Sequence, residues 1–228
     1  MSGEPMLLLS LRECRLILER LVQAAGAPPG LLHAVRDCAL YSAILPGPGL
    51  AAMAGHLEAL RASKPLRLAL TEKGDRLVAD ANGQHAWYAA PTILDLAVAR
   101  YRLTGIGNVV VENLAEPGEL RIVAGLAEPY GLLGVATPRG DEVAIAGPRP
   151  AEAATALERL RRDGLPTPAA IWWPLYHASH AALAPDTFES RRHAGTVRVE
   201  ADGRIVGRND EDETDLSMLT PDPSLLHY

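Results

Sequence analysis

The sequence predicts an α/β fold in which an N-terminal helical section packs on a mixed sheet that contains parallel βαβ units. Residues 1–64 place apolar side chains at helical spacing, residues 65–148 alternate short apolar strands with helical segments, and residues 149–228 add a helix and a hairpin pattern. The order strand, helix, strand is typical of a parallel sheet with crossover connections. A chain of 228 residues is predicted to form a single domain built from these three sections.

Three helices are predicted in the N-terminal section. The first covers residues 10–25, where Ser10 and Glu13 form a capping-box pattern. Its apolar side consists of Leu11, Cys14, Leu18, Leu21 and Val22. A second helix over 30–45 ends in Pro-Gly-Pro-Gly, and a third follows over 50–62.

The middle section begins with a change of period. Leucines alternate with other residues over 66–70, and the turn sequence Glu-Lys-Gly-Asp follows, which predicts a hairpin or a pair of short strands. The next helix is predicted to start at Thr92, with Asp95 as its capping partner, and to run to about Leu103.

Three apolar segments after this helix are predicted to be strands. They are "NVVVEN", "GLLGVAT" and "EVAIAG". Because they have almost no polar residues, all three are expected to be buried, and the first is expected to be covered on both of its faces. A helix over 118–129, begun by Pro117 at a favoured first position, connects the first two segments. The strands Val109–Val111 and Leu132–Ala136 are therefore predicted to be parallel neighbours.

The last section is predicted to contain a helix over 151–163 and a hairpin, "TVRVEADGRIV", with Asp202 and Gly203 as its tight turn. Between them lies the apolar segment "AAIWWPLYHASHAAL", interrupted by Pro174. Its aromatic side chains are interpreted as core or as a dimer contact, with a ligand pocket as a further possibility; they are Trp172, Trp173 and Tyr176. The acidic run "NDEDETD" is interpreted as solvated.

Composition limits the classes of partner. The chain has 22 basic and 28 acidic residues, a net charge near -6, and no strong cluster of Lys or Arg, which argues against nucleic-acid binding. Its apolar runs are shorter than the ~20 residues that span a bilayer. Cys14 and Cys38 fall on predicted helices, where thiols behave as small hydrophobic groups. A cytoplasmic protein with no nucleic-acid or membrane partner is predicted.

Motifs with a defined chemistry are scarce. There is no phosphate-binding loop, and "TGIGN" precedes a strand, which is the wrong side for a pyrophosphate. His177 and His180 stand one helical turn apart and could face one metal, but two histidines on a partly exposed helix are the favoured interpretation, and no metal site is predicted. "FESRRH" could bind a carboxylate or phosphate through its arginines, although a solvated loop is favoured.

The strand-to-helix junction "VVVENLAEPGEL" contains the main candidate residue, Glu116. At the carboxyl end of a strand, where open α/β sheets bind ligands, this carboxylate could be an acid/base or an anchor at the mouth of a pocket. The alternative is that Glu116 is simply an acidic residue favoured at a helix start.

Three segments carry a resemblance to a known family: "LRECRLILERLVQAAGAPP", "VADANGQHAWYAAPTILDLAVARYRLTGIG" and "VVVENLAEPGELRIVAGLAEPYGLLGVA". From Ser10 to about Ala146 their order resembles the malate, L-lactate and ureidoglycolate dehydrogenase family. That family uses NAD(P) on a fold distinct from the Rossmann dehydrogenases, the L-sulfolactate dehydrogenase-like fold. The resemblance implies this fold for the present chain.

The two histidines of that family are absent at their matching positions. The family sequence Asn-Ser-Asn-His-Phe-Gly is matched with Asn113 and Gly118 retained, but Glu116 stands in the place of the histidine. The family sequence Ser-His-Gly is matched by Gly-Pro-Gly at 47–49, and proline cannot transfer a proton. The resemblance therefore does not imply the dehydrogenase activity, and tight binding of NAD(P) is not expected.

The C-terminal part is similar to short, uncharacterised bacterial relatives of these dehydrogenases. Their "TYVPASEASR" stretch, followed by an Asn-Asp pair, is matched here by "TFESRRHAG" and "GRNDED". By this match, Ser190, Arg191, Asn209 and Asp210 are candidate functional residues.

Two classes of function follow. The first is a divergent enzyme for a small carboxylate or amide, with Glu116 and Asp210 as catalytic candidates and with substrate-binding candidates at Asn113, Ser190, Arg191 and Asn209. The second is a non-catalytic ligand-binding protein or a structural partner of an enzyme complex, and an NAD(P)-dependent oxidoreductase of 2-hydroxy acids is a further alternative. A homodimer is predicted, because the related enzymes are dimers and "IWWPLY" offers apolar aromatic surface.

Overall fold

The computed structural model describes residues 4–74 and 76–183, together with the backbone of 197–199 and 205–207. The chain divides into two compact units, Met1–Leu183 and Ala184–Tyr228. The first unit contains every helix and sheet discussed below except one short hairpin. Within the described residues, no helix combines the length and the apolar character that crossing a membrane requires.

The described helices and strands have the following bounds. The helices are α1 (Leu11–Ala24), α2 (Leu32–Ile44), α3 (Met53–Ala62), α4 (Ala86–Thr104), α5 (Val123–Leu126), α6 (Ala156–Asp163) and α7 (Ala169–Ser179). The strands are β1 (Met6–Leu9), β2 (Ala69–Lys73), β3 (Arg76–Asp80), β4 (Gly107–Glu112), β5 (Leu132–Ala136), β6 (Glu142–Pro148), β7 (Leu165–Pro168), β8 (Val197–Val199) and β9 (Ile205–Gly207).

The N-terminal helices confirm the prediction. The hydroxyl of Ser10 accepts a hydrogen bond from the backbone of Glu13, and the Glu13 carboxylate binds the backbone of Ser10, so the capping box at the start of α1 is complete. The apolar side of α1 is buried, and so are both thiols, Cys14 and Cys38. Burial raises the pKa of Cys14 to about 12, as expected of a thiol that acts as a small hydrophobic group.

The central sheet has five strands in the order β2, β3, β4, β6, β5. The predicted hairpin is confirmed as β2 and β3, which pair antiparallel. Strand β3 then pairs parallel with β4, with α4 as the crossover helix, so the sheet is mixed and contains a parallel βαβ unit. The predicted α/β class is confirmed.

The prediction that Val109–Val111 and Leu132–Ala136 are parallel neighbours was wrong. Strand β6 lies between them and pairs antiparallel with both β4 and β5. The connection from β5 to β6, residues 137–141, is far too short for a parallel crossover, which needs a dozen or more residues. It therefore closes an antiparallel hairpin, and β6 takes the place beside β4.

The expectation that these strands are buried throughout, with β4 covered on both faces, was also wrong. On β4, Val109 and Val111 are buried whereas Asn108 is exposed, and on β5 the outward side chains Leu133 and Val135 are 40% and 45% exposed. Helix α4 packs against β4 and β6, and α5 packs against β5. An apolar strand can thus leave one of its faces open to solvent, so the lack of polar residues does not by itself predict burial on both faces.

Helix α4 begins six residues earlier than predicted. Its N-cap is His85, whose ring accepts a hydrogen bond from the backbone of Trp87, so Thr92 and Asp95 lie inside the helix rather than at its start. Pro91 falls in the second turn and does not end the helix. The entry to α4 is consequently part of the site described below.

Two other predicted helices differ in extent, and one further helix was not predicted. The segment begun by Pro117 is a 3-10 helix (Pro117–Ile122) that continues as the four-residue α5 and then a second 3-10 turn. Helix α6 begins only at Ala156, after an N-cap and capping box at Thr155. The aromatic segment forms α7 in spite of Pro174, with Trp172 buried and Trp173 46% exposed.

A small second sheet was not predicted. Strand β1 pairs antiparallel with β7, which joins residues near the start of the chain to residues 165–168. In the second unit, β8 and β9 pair antiparallel, as the predicted C-terminal hairpin requires. Its predicted turn residues, Asp202 and Gly203, lie outside the described residues.

Candidate functional site

The loops that follow β3 and β4 are joined by a continuous series of backbone hydrogen bonds. Gly83 N donates to Asn113 O over 2.6 Å, Ala115 N donates to the carbonyl of residue 84 over 3.0 Å, and Ala86 N donates to Ala115 O over 3.0 Å. Because β3 and β4 are parallel, both loops leave the same edge of the sheet. This edge is the place where α/β sheets commonly bind ligands.

Left-handed backbone conformations concentrate at this edge. Among the described residues other than glycine, positive φ occurs at Asn82 (52°), Asn113 (52°) and Glu116 (56°). Asparagine tolerates this conformation, but glutamate has no such preference, and a residue held in it stores about 1–3 kcal/mol of strain. Glu116 is therefore fixed by its surroundings and not by its own conformational preference.

Asn113 is held by an acidic neighbour. Its amide Nδ2 donates to Asp80 Oδ2 over 2.9 Å, while Asp80 Oδ1 accepts a hydrogen bond from the backbone N–H of Asn82 over 2.8 Å. These bonds tie the two loops together. The amide nitrogen of Asn113 keeps a second N–H, and its side-chain oxygen is an acceptor, so the substrate contact predicted for Asn113 can use either atom.

Glu116 contacts a histidine that the sequence analysis did not single out. Its Oε2 lies 3.6 Å from Nδ1 of His56 on α3. The Glu116 side chain is 46% exposed, whereas that of His56 is 10% exposed. The pair thus connects solvent to the interior. Glu116 is the N-cap residue of the 3-10 helix, but its side chain makes no capping hydrogen bond, so any contribution to the helix start comes from its charge alone.

A second carboxylate lies on the other side of His56. Glu119 Oε1 is 3.5 Å from His56 Nε2, and its side chain is only 4% exposed. Trp87 Nε1 donates to Glu119 Oε2 over 3.0 Å, and Arg121 Nη2 donates to Oε1 over 2.9 Å. Burial opposes ionisation of this carboxyl, but the hydrogen bonds from Ser42 and Trp87 and the charge of Arg121 outweigh it, so its pKa is lowered.

Arg121 connects this site to the Gly-Pro-Gly loop. Its Nη2 donates to the carbonyl of Ser42 over 2.9 Å, and its Nη1 donates to the carbonyl of Pro46 over 3.3 Å. Gly47 has φ of 148°, and a Cβ at this position would lie 3.0 Å from Arg121 Cζ. The first glycine of the loop therefore makes room for the guanidinium that neutralises Glu119.

His85 lies at the inner end of the site. It is fully buried, its Nδ1 accepts the backbone N–H of Trp87 over 3.1 Å, and its Nε2 has no hydrogen-bond partner. Burial and the neighbouring His56 lower the pKa of His85 to about 4. The ring is consequently neutral near pH 7, with its proton on Nε2.

Because His85 is buried in its neutral form, it is predicted to make the stability of the protein depend on pH. Between pH 6.5 and about 4, the unfolded state protonates residue 85 and the folded state does not, so the free energy of unfolding falls as pH falls, by up to about 3 kcal/mol. Replacing His85 with Asn keeps a side-chain acceptor at the N-cap but removes this titration.

Urea unfolding from pH 7 to 4.5 tests the prediction. In this range Glu119 adds little to the pH dependence of stability, because the pKa of its carboxyl is 4.5 in the unfolded chain and lower in the folded protein. We expect a flatter profile for His85→Asn. His33→Asn is the matched control, because the His33 side chain is 76% exposed. Equal slopes for the two variants would contradict the prediction.

The remaining sequence-predicted candidates cannot be placed beside this site. Ser190, Arg191, Asn209 and Asp210 lie outside the described residues. His177 and His180 have ring centroids 6.0 Å apart on or beside α7, where they contact Tyr176. In the described part of the chain, no group of three or more His, Cys, Asp or Glu residues could hold a metal ion.

Sequence reasoning missed most of the site's interior, namely His56, His85, Trp87, Glu119 and Arg121. One local signal was available, because "NGQHAWY" places a turn directly before a histidine that can cap a helix. His56 carried a weaker signal, since it lies on the same buried side of α3 as Met53, Leu57 and Leu60. Nothing local indicated that Glu119 would be buried.

Comparisons with known proteins give limited similarity. No family model matches the chain, and no curated protein matches it. A malate dehydrogenase from Pyrococcus horikoshii is similar in structure at 14% identity and a TM-score of 0.47, over 80% of this chain and 66% of that one. A malate dehydrogenase from Entamoeba histolytica is similar at 15% identity and a TM-score of 0.46, over 57% of this chain and 38% of that one. Neither similarity assigns the chain to a family.

Proposed function

We propose that the protein is an enzyme that acts on a small carboxylate or amide by general acid–base chemistry, with Glu116 and His56 as the proton-transferring pair. The observation that carries the proposal is the strained backbone of Glu116, which brings a half-exposed carboxylate within 3.6 Å of a nearly buried imidazole at the carboxyl end of β3 and β4. Strain at such a position is characteristic of functional sites.

The three groups Glu116, His56 and Glu119 have distinct roles in this proposal. Glu116 faces solvent and would exchange a proton with the substrate. His56 would exchange a proton with Glu116, and the anionic Glu119 would orient its ring from the far side. The contacts of 3.5 and 3.6 Å are longer than hydrogen bonds, and catalytic contacts commonly shorten only when substrate is bound.

The second candidate is a non-catalytic ligand-binding protein or a structural partner of an enzyme complex. One observation favours it: Glu119 is satisfied by Trp87 and Arg121, as a purely structural buried carboxylate would be. The strain at Glu116 argues against a purely structural role, because a structural network that ends at Glu119 does not require it, whereas a non-catalytic ligand-binding site would also account for it.

At the two strand-to-helix junctions of this edge, first-turn N–H groups that could bind the pyrophosphate of a cofactor are engaged or missing, which supports the expectation that NAD(P) does not bind tightly. At the start of α4, the N–H of Trp87 is taken by His85 and that of Ala86 by Ala115, so neither can bind a pyrophosphate. The helix after β4 is a 3-10 segment of six residues begun by Pro117, which has no N–H. That NAD(P) does not bind tightly, and that the protein is a homodimer, stay predictions.

The test of the proposed function monitors each candidate compound itself, because the proposal specifies a type of chemistry and not one reaction. Malate, lactate, ureidoglycolate and the corresponding amides are incubated with the protein, and each is followed by proton NMR. We expect turnover of at least one compound, and a loss of about 100-fold or more in Glu116→Gln, because a general acid–base group contributes 10²–10⁴-fold. The melting temperature should change little.

Glu112→Gln is the matched control, because Glu112 is a similarly exposed carboxylate on β4 whose partner is Lys73. It should keep full turnover. Equal turnover in wild type and Glu116→Gln would contradict the acid–base role. Binding of a compound, seen as a rise in melting temperature, without turnover in any variant would favour the second candidate.

A further inference from the structure

A cleft of about 410 Å³ lies where the start of α1 meets the end of α6. Its lining residues are Ser10, Leu11, Arg12, Arg15 and Arg161. The lining contains three guanidinium groups and no carboxylate. None of these residues belongs to the site around Glu116, so the cleft is a separate feature of the fold.

None of the three arginines of the cleft forms an ion pair with a carboxylate among the described residues. Arg36, Arg121 and Arg162, by contrast, are each paired with a carboxylate. Moreover, the Nε of Arg15 is buried without any hydrogen-bond partner. A buried guanidinium donor that has no acceptor costs free energy, so the cleft is incomplete as it stands.

The acidic side chains nearest in sequence are already engaged elsewhere. The Glu13 carboxylate accepts hydrogen bonds from the N–H and hydroxyl of Ser10, and the Glu158 carboxylate accepts one from the N–H of Thr155. Both complete capping boxes at the starts of their own helices. The hydrogen bonds from Thr155 and, more weakly, the charge of Arg161 lower the pKa of Glu158, so this carboxylate partly balances Arg161, although neither carboxylate forms an ion pair with an arginine of the cleft.

The position of two of these arginines is unfavourable for the free protein. Arg12 lies in the first turn of α1 and Arg15 directly after it, near the end where the helix macrodipole disfavours positive charge, whereas Arg161 lies in the last turn of α6, where the dipole favours its charge. The chain as a whole has a net charge near -6, so this concentration of positive charge runs against its overall balance. An anion in the cleft would remove the repulsion.

We infer that this cleft is a binding site for a compact multivalent anion, either a tricarboxylate or a pyrophosphate. Guanidinium groups bind carboxylate and phosphate oxygens in a bidentate manner, and three of them match an anion that carries about three charges. Leu11 supplies the apolar part of the lining. This inference is independent of the proposed acid–base function.

Citrate and inorganic pyrophosphate are the probes, and their affinities are measured by isothermal titration calorimetry alongside melting temperatures. Sodium chloride at equal ionic strength controls for screening. We expect Arg12→Gln and Arg161→Gln each to weaken binding by about tenfold, since a hydrogen bond to a charged group contributes at least that factor. The melting temperature of either variant without anion should equal or exceed that of wild type.

Arg20→Gln is the matched control, because Arg20 lies on α1 but does not line the cleft. It should bind the probes like wild type, and so should Glu116→Gln, which separates this site from the proposed catalytic one. Binding of citrate alone or of pyrophosphate alone identifies the anion class and supports the inference. Absence of binding, equal affinity in all variants, or an equal effect of sodium chloride overturns it.

Discussion

Replacing Arg121 with Met is expected to lower the free energy of unfolding by about 3 kcal/mol, because removing one partner of a buried ion pair leaves the other charge uncompensated. The charge in question is that of Glu119, whose side chain is 4% exposed and 2.9 Å from Arg121. The substitution also removes the donors to the carbonyls of Ser42 and Pro46. Urea unfolding at pH 7 measures the difference.

The double variant with Glu119→Gln should recover part of this loss, since the uncompensated charge is then absent. Arg162→Met is the matched control: Arg162 is paired with Asp163, but the two side chains are 66% and 54% exposed, and such pairs contribute at most about 1 kcal/mol. A loss for Arg121→Met no larger than that of the control would show that the network around Glu119 is not an important source of stability.

Replacing Gly140 with Ala is expected to have an effect of similar size, about 3 kcal/mol. Gly140 lies in the connection between β5 and β6 with φ of 69°, and an added Cβ would overlap the carbonyl of Pro117 and lie 2.9 Å from its Cβ. Backbone strain contributes about 1–2 kcal/mol, and overpacking against a fixed backbone adds about 1–3 kcal/mol. The contact also supports the 3-10 helix from which Glu119 projects.

Gly131→Ala separates the two contributions. Gly131 has a nearly identical φ of 70°, but an added Cβ there meets nothing within 4 Å. It should cost only the backbone strain, about 1–2 kcal/mol. If the two variants lose equal stability in urea unfolding, the contact between Gly140 and Pro117 is not rigid, and the hairpin does not hold the segment of Glu119 in place.

The parts of the fold that were predictable are those specified by local sequence. Helix α1 has one apolar side and a complete capping box, so its period and its start are both visible. The start of α4 was missed because residues 86–90 are buried on all sides, and a helix turn without a polar side shows no helical period. Strand order was missed because a strand's sequence does not specify its neighbour, and only the short connection at 137–141 indicated an antiparallel pair.

The candidate site likewise has one part that local sequence predicts and another part that it does not. Glu116 was identified because it follows a strand and precedes a proline that begins a helix, which is a local pattern. Its partner His56 lies on α3, 60 residues away in sequence, and no local pattern specifies such a contact. The sequence of the Gly-Pro-Gly loop showed only that the family histidine is absent. In the structure, Gly47 leaves room for the side chain of Arg121.

The pairing of β1 with β7 has a consequence for the order of events during synthesis. Met6–Leu9 leaves the ribosome well before its partner Leu165–Pro168, which is made about 160 residues later. At about 5–20 residues per second, the segment waits on the order of ten seconds with its leucines unpaired. The early chain therefore presents an apolar strand to chaperones and to other nascent chains until this late closure, and folding of the first unit cannot be complete before it.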